Sequence, residues 1–147
     1  MAMINQEVAL KLIKDARNSM EYSYCPYSNF PVGCAILCND GTIFTGKIDL
    51  FFKDCLFFNA NTHTGCNVEN AAYSGSICAE RTAIVKAVSS GHRKFKAIAI
   101  TSNLPPNDLC APCGNCRQFL VEVISDYEKK YFTMTKHLLI YNSSVRL

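Results

Sequence analysis

Two short motifs constrain this chain more than anything else in it: Cys78-Ala79-Glu80 and Pro112-Cys113-Gly114-Asn115-Cys116. A lone Cys-x-x-Cys occurs in many unrelated settings, but here it is joined by a third cysteine followed two residues later by a carboxylate. Cys78, Cys113 and Cys116 supply three ligands for one zinc ion per chain. Three protein ligands leave the fourth tetrahedral position open, as a hydrolytic metal centre requires and a structural one does not. Glu80 then sits beside that opening, where a water molecule needs a proton acceptor. Any fold of this chain must bring the two motifs to one point.

Each motif opens a helical stripe. Ala83, Ile84, Ala87 and Val88 share one face of a helix expected over residues 77–90, with Gly91 in the position of a C-cap. Cys116, Phe119, Leu120, Val123, Ile124 and Tyr127 trace a second helix. The thiols therefore fall in first turns, where unpaired N–H groups and the positive end of the helix dipole help them ionise. Three thiolates on a dication leave a net charge of −1, which weakens the metal as a Lewis acid. The two dipoles offset part of that charge, and Arg81 is placed to donate hydrogen bonds to the sulfurs. Cys110, three residues before Cys113, leaves open a closed four-cysteine site, in which Glu80 would have no task.

The remaining sequence alternates in the same way. Ala9, Leu12, Ile13, Ala16 and Met20 recur at helical spacing over residues 5–22, with Asn5 as N-cap. The prolines of Cys25-Pro26-Tyr27-Ser28-Asn29-Phe30-Pro31 demand a loop. Residues 32–37, a turn at Asn39-Asp40-Gly41 and the β-prone segment 42–45 read as a hairpin. Further strands are expected at 95–101, 131–135 and 138–141, and a loop at 104–111. Helices alternating with strands imply a single α/β domain, residues 1–147, with helices layered over a sheet.

Composition limits the partners. With 49% hydrophobic and 18% charged residues and a net charge of +3, the chain is globular and only mildly basic. It has no basic groove of the kind that tracks nucleic acid. No apolar run reaches the roughly 18 residues needed to span a membrane, and Asn5, Gln6 and Glu7 interrupt any signal-like N-terminus. Nine cysteines, three of them in a metal-type cluster, favour a reducing, cytoplasmic compartment.

A third constellation is Gly65-Cys66-Asn67-Val68-Glu69-Asn70-Ala71. Asn67 and Glu69 alternate on an extended segment, so both point the same way. An amide and a carboxylate together suit the hydroxyls of a ribose; a polar turn before a helix is the plainer reading.

Taken with Cys25–Gly33, Gly65–Tyr73, Ile77–Ala83 and Pro112–Gln118, the order of motifs resembles cytidine deaminase, in its small homotetrameric form with three cysteine ligands. The resemblance implies a three-layer αβα sandwich with a mixed β-sheet. It implies zinc on Cys78, Cys113 and Cys116 and proton transfer by Glu80. It also implies a ribose held by Asn67 and Glu69, Phe30 packed near the nucleoside, and the base read by backbone around Ala71 and Ala79. The expected activity is hydrolytic deamination of cytidine and deoxycytidine in pyrimidine salvage, by a homotetramer acting on a small nucleoside, with neither membrane nor nucleic acid as partner.

The chain departs from the resemblance in two places. Residues 47–64 read as an insertion, expected to project outside the sheet with its phenylalanines forming an exposed apolar patch. From about residue 137 the C-terminus is shortened and atypical, expected to lack a further strand and a terminal Glu-Leu-Leu-Pro helix. These departures leave a second reading: a zinc-bound, catalytically impaired relative serving as a structural or subunit-partner protein.

Overall fold

A computed structural model of the chain describes residues 6–38, 62–105, 108–123, 131–135 and 138–142. Its elements are α1 (Gln6–Ser19) with a 3-10 turn (Met20–Tyr22), β1 (Val32–Cys38), β2 (Thr62–Cys66), a 3-10 turn (Tyr73–Gly75), α2 (Ala79–Ser89), β3 (Phe95–Ser102), α3 (Gly114–Val123), β4 (Tyr131–Thr135) and β5 (Leu138–Asn142). Apart from β2, the helices and strands match the expected elements closely. The N-cap at Asn5, the segment 42–45 and the tail of the last helical stripe lie outside the described residues.

The strands form one sheet in the order β2-β1-β3-β5-β4. Period-two alternation along the central strands divides the core in two. On one face Leu12 and Ala16 of α1 meet Ala35, Leu37, Ala97 and Ala99. On the other, Ala79, Ala83, Ile84 and Ala87 of α2 and Leu120 of α3 meet Cys34, Ile36, Cys38, Ile98 and Ile100. Helix, sheet and helix are the three expected layers. Burying a side chain such as Leu12 or Ile84 stabilises the fold by about 1.5–3 kcal/mol.

Two glycines set how closely the layers approach. A Cβ on Gly33 would lie 2.0 Å from the Ala16 carbonyl oxygen, and one on Gly65 would lie 2.5 Å from both Ala79 O and Ala83 N. Ser19 fastens the same junction, donating to Ala16 O at 2.7 Å and Gly65 O at 3.0 Å. Gly91 (φ 91°) ends α2 as expected. Its N–H donates to Val88 O at 3.1 Å and the His92 N–H to Ala87 O at 3.0 Å, which makes the paired bonds of a Schellman cap.

Two expectations are corrected. The sheet is not mixed: β1–β2, β1–β3, β3–β5 and β4–β5 all pair antiparallel. The crossover through α3 does send β4 in the direction of β3, but β5 folds back and lies between them, which removes the parallel contact. Residues 62–64, assigned to a projecting insertion, belong to the sheet. Leu37 pairs with Thr62, Ile36 with His63 and Ala35 with Thr64. Chain continuity explains this, because the strand leading into Cys66-Asn67 must itself lie along β1, with Gly65 against α2. The phenylalanines of the insertion lie outside the described residues. At the C-terminus β5 is the strand expected at 138–141.

Candidate active site

Short bridges between loops assemble the site. Val68 pairs with Tyr24 on one side and with Ile77 on the other. Tyr24 N donates to Asn67 O at 3.0 Å and Glu69 N to Tyr24 O at 2.7 Å, while Val68 and Ile77 exchange N–H···O bonds of 2.9 Å. The Cys25–Pro31 loop, the Asn67–Glu69 segment and the start of α2 are thereby held in register, one residue from Cys78.

Asn67 and Glu69 do point the same way, and both grip the proline loop. The Asn67 amide accepts from Val32 N at 2.8 Å and donates to Phe30 O at 2.9 Å. Glu69 accepts from the N–H groups of Tyr27 (3.0 Å) and Ser28 (3.2 Å), and from the Ser28 hydroxyl. The Ser28 hydroxyl, followed by these backbone donors, holds the Glu69 carboxyl below its ordinary value. Ser28 also accepts from Phe30 N at 3.1 Å. Asn29 takes φ 52° without being glycine, a left-handed conformation that asparagine tolerates better than most residues. Phe30, half-buried, is thus aimed by three neighbours. The part played by Ser28 was not evident from the sequence, since its partner lies 41 positions away.

The thiols converge as expected. Cys78 is the N-cap of α2, Cys113 immediately precedes α3, and Cys116 is buried in the first turn of α3. Their sulfurs lie within 4.8 Å of one another. Tetrahedral Zn–S bonds of about 2.3 Å place neighbouring sulfurs about 3.8 Å apart, and Cys78 Sγ and Cys113 Sγ are 3.9 Å apart. The donor set and its spacing fit zinc. Cys110 is not in this group; it packs against the apolar cluster of the α2 face, and burial raises its thiol pKa. The closed four-cysteine arrangement is not the one formed.

Electrostatics support a thiolate at Cys78. Hydrogen bonding with Cys116 lowers its pKa to about 5, helped by Arg81 and Cys113 and opposed by burial. Cys116, donating toward that sulfur, is shifted upward by the same bond and by burial. Arg81 Nη2 lies 3.7 Å from Cys78 Sγ and 3.1 Å from Ser76 O. Glu80 is 5% exposed. Burial, then the Cys78 charge, raises its carboxyl pKa. A buried carboxylate with a raised pKa is suited to moving protons near neutrality. Of the two alanines, Ala79 is fully buried, whereas Ala71 lies in an exposed turn where the Asn70 side-chain Oδ1 accepts from Ala72 N at 2.9 Å.

An α/β/α domain with three convergent thiols at helix starts and a buried glutamate beside them defines a hydrolytic zinc protein. Residues 55–133 match the model of the cytidine and deoxycytidylate deaminase zinc-binding region. A probable cytidine deaminase of Dictyostelium discoideum is 44% identical over 125 residues, 85% of this chain and 71% of that protein. The cytidine deaminase of Sporosarcina psychrophila is 41% identical, over 86% of this chain and 77% of its own. The crystal structure of cytidine deaminase from Burkholderia pseudomallei superposes with a TM-score of 0.66 at 31% identity, covering 95% of this chain and 94% of that one. This chain belongs to the cytidine and deoxycytidylate deaminase family.

Proposed function

We propose that the chain is a zinc-dependent hydrolase converting cytidine, and deoxycytidine, to the corresponding uridine and ammonia. The observation that carries this reading is the pairing of a zinc-spaced thiol triad with the buried carboxylate of Glu80. Zinc bound by Cys78, Cys113 and Cys116 supplies Lewis acidity that brings a water toward ionisation near neutral pH. Glu80 accepts the proton of that water as oxygen is added at C4 of the pyrimidine. It delivers that proton to N3, then takes the proton of the new C4 hydroxyl and passes it to the amine as the C4–N bond breaks, so that one water is consumed and one ammonia released. The backbone at Ala71 and Ala79 reads the base, and Phe30 packs beside the nucleoside. Glu69 accepts from a sugar hydroxyl with the lone pairs left over from Ser28 and Tyr27. Asn67, its amide engaged with Phe30 and Val32, sets the loop that borders the sugar.

A homotetramer recovering pyrimidine nucleosides in the cytoplasm completes the proposal. Its support is the set of exposed apolar side chains around the site, among them Tyr24, Val68, Tyr73 and Ile77, which suits contact with other copies. Among the described residues the cysteines are free thiols, in keeping with a reducing compartment. No described helix is long and apolar enough to cross a membrane.

The test is an ultraviolet assay of cytidine loss on purified protein, with zinc measured on the same sample. Turnover accompanied by zinc supports the reading. Zinc without turnover of either nucleoside would leave a zinc-bound, inactive subunit partner instead.

A further inference from the structure

The fold makes a second cluster of metal-type donors at the far end of α2. Cys38 is the last residue of β1, His63 lies in β2, and His92 follows the glycine that ends α2. Their ligand atoms all lie within 4.8 Å of one another. Cys38 and His63 are each 1% exposed and His92 is half-buried. The rings of His63 and His92 have centroids 4.9 Å apart and are tilted by 50°.

The convergence follows from backbone features. His63 pairs with Ile36, so it shares a face with Cys38 two residues further along β1. The register shift at Leu37/Cys38 pairs Cys38 with Phe95, leaving Lys96 exposed while Phe95 turns into the α2-side core. The Schellman cap at Gly91 then reverses the chain so that His92 returns over the sheet edge, opposite His63. Three separate elements each contribute one donor to one point.

We propose that Cys38, His63 and His92 form a second site, for a divalent cation of the zinc class, in addition to the zinc at Cys78, Cys113 and Cys116. A thiol and two imidazoles are borderline-to-soft ligands suited to zinc. Among the described residues the group has no carboxylate or other oxygen donor, which sets it apart from calcium and magnesium sites. Tetrahedral zinc with Zn–N of about 2.0–2.1 Å and Zn–S of about 2.3 Å places its donors roughly 3.3–3.8 Å apart. From separations of at most 4.8 Å, closure takes up to about 1.5 Å of relative donor movement, within reach of side-chain rotation. The half-exposed His92 side leaves a fourth position to water.

The two centres stand at opposite ends of α2, whose 11 residues span about 16 Å. The second ion therefore does not touch the reaction. It ties the end of β1, the start of β2 and the α2 cap together, and its binding free energy adds to folding stability.

Metal counting on the full-length protein tests this, whatever the protein's activity proves to be. The protein is equilibrated with excess zinc, dialysed against metal-free buffer and measured by elemental analysis. Wild type is expected to hold two zinc ions per chain, and Cys38→Ser and His92→Gln one each, with cytidine turnover within about twofold of wild type for a site this far from the chemistry. His92 is partly exposed, so His92→Gln tests the site even if Cys38→Ser does not fold. Cobalt(II) added to the one-zinc protein should give a thiolate-to-cobalt charge-transfer band in wild type and none in His92→Gln. A wild type holding one zinc with no cobalt band, or a His92→Gln variant still holding two, overturns the proposal and leaves a core contact of two rings and a thiol.

Discussion

Arg81 Nη2 lies 3.7 Å from Cys78 Sγ, so a guanidinium fixed by the Ser76 carbonyl also donates to a sulfur of the thiol triad. Partners of this kind orient a ligand and tune its charge, and their loss costs about 10–100-fold in metal affinity or activity. Arg81→Met is expected to lower zinc affinity within that range, read by competition with a chromophoric chelator. Cys113→Ser should lose this zinc almost completely, and Cys110→Ser should keep it. Equal loss from Cys110→Ser and Cys113→Ser would contradict the ligand set.

Glu80 separates chemistry from metal binding. Glu80→Gln preserves shape and hydrogen bonding but cannot carry a proton, so zinc content and melting temperature should stay near wild type. Turnover should fall by about 10²–10⁴-fold, the usual contribution of a positioned acid–base group. Near-native turnover in this variant would refute the assigned proton path.

Glu69 is expected to act on binding. Glu69→Gln weakens both the grip on Ser28 and a charge-assisted bond to the sugar, so KM for cytidine should rise more than kcat falls. The pH dependence has a definite sign. Because the folded-state pKa is depressed, the contribution of this carboxylate is fully present above its unfolded value and is lost only as pH falls through the lower folded value. From neutral to mildly acidic pH, KM in wild type should show no titration assignable to Glu69. A carbon-detected NMR titration that placed the Glu69 midpoint at or above the ordinary glutamate value would contradict the hydrogen bonding described here.

Deleting residues 46–64 joins Thr45 to Gly65 and brings Thr45, Phe44 and Ile43 to the positions of Thr64, His63 and Thr62. Those residues are β-prone, and a phenylalanine suits the buried place opposite Ile36. The deletion is expected to fold with a melting temperature within about 5 °C of full length, a change of roughly 1 kcal/mol. It should deaminate cytidine and hold one fewer metal ion, since His63 is gone. A much larger drop in melting temperature would show that the replacement strand cannot take that edge.

Much of this protein was legible in its sequence because local chemistry and tertiary demand agree. The helix of Leu12 and Ala16, the helix ended by Gly91, the strand of Ile98 and Ile100, and the metal triad all carry a periodicity or spacing that survives folding. Arg81 could be placed beside the sulfurs because its distance from Cys78 is set within one helical turn. What depended on which strands become neighbours was not legible. The sequence offers two segments, 43–46 and 62–65, that both end in Thr-Gly and both suit an edge strand, and the described sheet contains the second. Nothing local shows that β5 inserts between β3 and β4, because strand order depends on which edge a returning chain meets.

The sequence by itself determined the cysteine motifs and the glutamate beside them, since each is a short motif whose local geometry is made within a turn or two of backbone. Only the tertiary structure decided that Glu69 would brace Ser28 across 41 positions, and that Cys38, His63 and His92 would meet at one end of α2. Those relations depend on register, a strand irregularity and the reversal at a helix cap. Each moves a side chain by several ångströms while leaving no periodic trace in the order of residues.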